Sequence, residues 1–161
     1  MTRRVYVSGP MATKTFTVAT GSAIPIGVFV ETASTVALAA TDAVDVTVFP
    51  ATAVATRSFG IAYAADFTGK YASATGTGIG TATTQNSVAA GEKVTVILRG
   101  SGGVVEAFAG AAGILPGQEL TIADGGSITS TAVGRDPGQI LGHAITYAES
   151  ASDKILMILD G

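Results

Sequence analysis

The chain holds one histidine, His143, and no cysteine. A metal site without thiolates or a second imidazole would need a cluster of Asp and Glu alone, and no set of carboxylates is spaced for one. His143 lies inside a strand-like run and reads as a structural or interface residue. Serines and aspartates are present, so a Ser-His-Asp triad is formally available. No Gly-x-Ser-x-Gly elbow marks a nucleophile among them. Gly76, Gly78 and Gly80 do not match the Gly-x-Gly-x-x-Gly spacing that cradles a dinucleotide, and no βαβ context surrounds them. Asp42 and Asp45 offer the carboxylate pair of a glycosidase, yet with Thr41 and Val44 beside them they read as turn and strand-edge residues. Asp124 before Gly125-Gly126 and Asp136 before Pro137 are turn residues by the same logic. The expectation is a protein with no catalytic, cofactor-binding or metal residues, and not an enzyme.

The N-terminal stretch is different in kind. Met1–Lys14 carries Arg3, Arg4 and Lys14 and no acid; the first acid of the chain is Glu31. An arm with arginines, Tyr6 and Pro10 can drape over a partner, and guanidinium groups make forked pairs with carboxylates. Arg3, Arg4, Tyr6, Pro10 and Lys14 are therefore the candidate interface residues. The domain reading is an extended arm over residues 1–14 followed by one β-rich domain over 15–161.

Composition says what must position these residues. Apolar residues make up 47% of the 161 and charged ones only 13%, about half the usual charged share. With so little charge, much of the surface must be Ala, Thr, Ser and Gly, which suits burial against neighbouring subunits better than a free monomer. The net charge of −3 argues against nucleic acid as the main partner. The absence of cysteine fits assembly in a reducing cytoplasm. Val5–Gly9 is too short and polar for a signal sequence, and no apolar run approaches a membrane span.

Strand signals recur every 8–12 residues with no long helical period, which implies a sandwich or barrel. Strands are expected at Thr15–Val18, Ile24–Glu31, Val36–Ala40, Val44–Phe49, Phe59–Ala64, Val94–Arg99, Val104–Ala109, Leu120–Ala123, Ile128–Val133, Ile140–Tyr147 and Lys154–Leu159. Ser101-Gly102-Gly103 between two β-rich runs reads as a hairpin. Thr68–Ser87 is rich in Gly, Thr, Ser and Ala and reads as a loop or hairpin tip. Short helices are conceivable at Ala51–Thr56 and Ala107–Ala112. The last strand, Lys154–Leu159, is expected at the centre of the core.

From Phe59 onward the order of features resembles the bacteriophage capsid cement (decoration) proteins of HK97-type heads. The residues that carry this are Phe59-Gly60-Ile61-Ala62, Gly91-Glu92-Lys93-Val94 through Leu98, Ala111-Ala112-Gly113-Ile114 through Leu120, Gly138-Gln139-Ile140-Leu141-Gly142-His143-Ala144, and Asp153-Lys154 through Leu159. The resemblance implies a β-barrel or sandwich that is made in the host cytoplasm and joins the virion. There it would sit on the outer capsid surface over subunit junctions, with the major capsid protein and copies of itself as partners. A trimer is implied by the family alone. The alternative reading is a head-fibre, tail or adhesive, polysaccharide-binding β-module; an adhesive module would show aromatic platforms, and this chain has no Trp and four Tyr.

Overall fold

The computed structural model describes residues 5–21, 23–32, 47–52, 58–65, 87–131 and 140–160. In chain order their strands are β1 (Tyr6–Ser8), β2 (Thr13–Val18), β3 (Ile24–Pro25), β4 (Phe29–Thr32), β5 (Thr47–Pro50), β6 (Ser58–Ala65), β7 (Ser87–Val88), β8 (Lys93–Leu98), β9 (Val104–Phe108), β10 (Glu119–Ile122), β11 (Ile128–Ser130), β12 (Gly142–Ala144) and β13 (Lys154–Ile158). A 3-10 turn at Asp124–Gly126 is the one helical element among the described residues. The all-β expectation holds.

Alternation builds the first body. Phe16 and Val94 face each other across β2 and β8 and are buried, while Thr15 and Thr95 pair on the outward face with their hydroxyls 3.5 Å apart. β2, β5, β4, β6 and β8 close into a five-stranded barrel, which leaves no free edge. The β2–β5 contact is parallel and the others antiparallel. Register shifts in β4–β6 and β6–β8 mark bulges, the device that lets so small a sheet bend shut. Gly60 sits where β6 runs close against β8: a Cβ there would run into the Ile97 carbonyl and the Val96 side chain.

The second body is a six-stranded antiparallel sheet in the order β1-β9-β13-β12-β10-β11. β13 is central in it, pairing with β9 and β12, and Ile155, Met157 and Leu159 are buried as expected. A parallel bridge from Ala109 to Ile128 brings the end of β9 back to the start of β11, so the sheet curls round its apolar face. One continuous set of buried residues runs through both bodies. Gly27 helps join them. Its φ of +94° and missing side chain admit the Phe108 ring from the second body.

Several expectations are corrected. The arm over residues 1–14 is not separate from the domain along its described length. Val5 is buried, Tyr6–Ser8 pairs with β9, and Thr13 and Lys14 already belong to the barrel. The apolar Val5 side chain and the backbone pairing of β1 anchor it. Ser101-Gly102-Gly103 is not a hairpin turn, because β8 pairs with β2 and β6 whereas β9 pairs with β1 and β13. The chain crosses there from barrel to sheet. Ile24–Glu31 splits into β3 and β4 at Gly27, and Ala107–Ala112 is the end of β9 and a bend rather than a helix. The strand expected at Val36–Ala40, the first half of Val44–Phe49, Asp42, Asp45, Asp136 and nearly all of Thr68–Ser87 lie outside the described residues, while the second half of Val44–Phe49 is in β5. Of Ala51–Thr56, the described Ala51 and Thr52 are not helical.

Candidate docking surface

Arg3 and Arg4 lie outside the described residues. The other three residues expected at an interface fall on two places. The Tyr6 hydroxyl donates to the Gly9 carbonyl at 2.8 Å and closes the turn after β1. The Pro10 carbonyl packs on Gly103, so Tyr6 and Pro10 both belong to the connection that abuts the barrel-to-sheet crossover. Lys14 is one strand further on. It is exposed on β2 with its ammonium 5.7 Å from the centre of the Phe16 ring, which in turn stacks obliquely on Phe59 at 4.8 Å.

The crossover itself is pinned by Arg99. Its guanidinium donates to the Ser58 carbonyl in the barrel at 3.3 Å and to the Ile140 carbonyl before β12 at 2.8 Å. Burial pushes this guanidinium below its ordinary range, though it stays charged at any physiological pH. Arg99 thus ties the two bodies together.

His143, in β12, meets Asp160: Nδ1 and Oδ2 are 2.5 Å apart, both side chains are solvent-accessible, and the contact is an ion pair when the ring is protonated. Its register partners are Glu119 on β10 and Ile158 on β13. No group of three or more His, Asp or Glu side chains among the described residues is disposed to hold a metal ion.

The surface does carry apolar side chains. Leu115 and Tyr147 are each 51% exposed, Met11 43%, Ile145 40% and Ile158 36%. Three of them share one region. Ile114 and Ala148 form an antiparallel bridge, so Leu115 and Tyr147 flank the same contact, and the Ile145 N–H donates to the Leu156 carbonyl on β13. The spacing of Ile145 and Tyr147, two apart in a strand-like run, was the available signal for a shared face.

No family model matches the chain, and no curated protein does. Among solved structures, the fold is similar to that of the head fiber gp8.5 N base in bacteriophage phi29. The TM-score is 0.53 at 14% identity, over 92% of this chain and 93% of that one. At that identity the likeness shows the fold, and it spans both the barrel and the sheet.

Proposed function

We propose that this chain is a structural protein of a bacteriophage head, a cement protein that binds the outside of the assembled shell at subunit junctions and catalyses nothing. The observation that carries the reading is the fold likeness, over nearly the whole chain, to the base of a phage head fiber. The charge-poor composition and the exposed Leu115, Ile145 and Tyr147 support it, because both suit contact with other protein surfaces. The mechanism is thermodynamic. A protein that binds the expanded shell and not its separated subunits stabilises the shell by mass action. Repeated over a closed lattice, modest contacts sum to a large resistance to rupture. In this reading the partners are the major capsid protein and further copies of the chain, with a trimer first among the oligomers, and the N-terminal residues Arg3, Arg4, Tyr6, Pro10 and Lys14 take part in the contacts.

A second reading is favoured by the same likeness: the chain is the shell-bound base of a head fibre. The two differ in what stands above the capsid. A cryo-EM reconstruction of the particle that carries this gene product separates them. The cement reading expects compact density at every equivalent junction, with nothing projecting. A projecting fibre on that density would replace cement by fibre base, and absence of the protein from the particle would remove both.

A further inference from the structure

The chain has two Asp-Gly pairs, Asp124-Gly125 and Asp160-Gly161. The first opens the 3-10 turn that joins β10 to β11, and both of its residues are exposed. The Asp124 carboxylate is turned back on its own chain: the Gly125 N–H donates to Oδ1 at 3.0 Å. Gly125 has a φ of +74°, which glycine adopts without strain, and nothing lies within 4 Å of where a Cβ would stand. The Gly125 nitrogen therefore sits beside the carboxyl group with no side chain to screen it and solvent around both. The residues next to the pair are held closely. The Ser127 hydroxyl donates to the Asp124 carbonyl at 3.1 Å, and the Ala123 N–H donates to the Ser127 carbonyl at 2.8 Å. Gly126 is buried against the barrel: a Cβ there would run into the Phe29 carbonyl of β4 and the Val28 side chain just before it. The turn is thus open to water at Asp124 and Gly125 and wedged between the two bodies one residue later.

We infer that Asp124 is a site of spontaneous isoaspartate formation, and that the change loosens the joint between barrel and sheet. The Gly125 nitrogen bonds to Cγ of Asp124 in its neutral carboxyl form. The amide proton and the carboxyl hydroxyl leave together as water, and a cyclic imide remains. Solvent water then adds to one imide carbonyl and breaks its C–N bond. Breakage at the side-chain carbonyl restores Asp124. Breakage at the backbone carbonyl leaves the chain running through the side-chain carboxyl, with the former backbone carbonyl as a free carboxylate. The water lost is regained, and nothing is oxidised or reduced. The product carries an extra methylene in the main chain, one residue before the tightly packed Gly126. A close-packed contact has no slack for that displacement, so the turn must draw away from β4. This inference is independent of shell binding.

The test ages the full chain below its melting temperature, folded and in denaturant, beside the variants Asp124→Ser and Asp124→Glu. Serine keeps an acceptor for the Gly125 N–H, and glutamate keeps the carboxyl group but would have to close a larger, slower ring. Trypsin then releases residues 100–135, in which Asp124 is the one aspartate and there is no asparagine, apart from residues 155–161, which hold Asp160. Isoaspartate is read on each peptide by chromatography of equal-mass isomers and by labelling with an isoaspartyl methyltransferase. In the folded wild type the 100–135 peptide is expected to split into two isomers, through an intermediate lighter by one water, at a rate comparable to that in denaturant. In both variants that peptide is expected to stay single. Aged wild type is expected to melt at a lower temperature than fresh protein, while aged Asp124→Ser, which still carries Asp160-Gly161, melts as it did when fresh. Asp124→Glu replaces it in this arm if the serine variant melts early. Isoaspartate that forms at Asp124 in denaturant but not in the folded chain overturns the site, because the turn then shields the carboxyl group. Aged wild type that carries isoaspartate at Asp124 and melts like fresh protein overturns the effect on the joint.

Discussion

Thr52 holds the buried carboxylate of Glu31 from two sides of one residue: its N–H donates to Oε2 at 3.2 Å and its hydroxyl lies 3.2 Å from the same oxygen. Glu31 is 1% exposed, on a barrel strand between β5 and β6. A carboxylate so placed is tolerated because donors meet it. Thr52→Ala keeps the backbone donor and removes the hydroxyl, and is expected to lower stability by about 1–2 kcal/mol. Denaturant unfolding checks this; an unchanged midpoint would mean that the hydroxyl contributes nothing to Glu31.

Thr121 presents the opposite case. Its hydroxyl is buried on β10 with no hydrogen-bond partner among the described residues. Valine has nearly the same shape without the unpaired oxygen. Thr121→Val is therefore expected to match or exceed wild-type stability, by up to about 1 kcal/mol. A clear fall in melting temperature would show that the hydroxyl is satisfied in solution.

Met157 is fully buried on β13, opposite Val105 on one side and Ala144 on the other. Met157→Asp sets an unpaired carboxylate there at a cost of several kcal/mol, roughly the whole stability of a small domain. The expected outcome is insoluble or unfolded protein by circular dichroism. Wild-type-like melting would contradict the central position of this strand.

How much of this was legible in the sequence depends on the range of the interaction that decides each feature. Val94, Val96 and the Lys154–Leu159 run announce their strands because period-2 alternation is local. The Ser101-Gly102-Gly103 turn looks the same whether the next strand returns to its neighbour or crosses to another sheet; the difference lies in Leu159, whose carbonyl and N–H bond Gly102 and Gly103 from more than fifty residues away. β1 escaped notice because three residues, Tyr6–Ser8, give no period, and its pairing with β9 is almost a hundred residues distant. Gly27 broke a run that reads as one continuous strand. The candidate surface was least legible. Leu115, Ile145 and Tyr147 are apolar residues in or beside strand-like runs, and composition alone assigns such residues to the core. Arg99 gave no sequence signal at all for its role between the bodies, since its acceptors are backbone carbonyls that any residue would supply.

The most direct test of the central claim is to add the purified full-length chain to expanded heads assembled without it and to measure occupancy by cryo-EM together with the temperature of rupture. Saturable binding to the outer surface at equivalent junctions is expected, with a higher rupture temperature once the sites fill. Heads that stay bare, or that fill without any gain in rupture temperature, would contradict it.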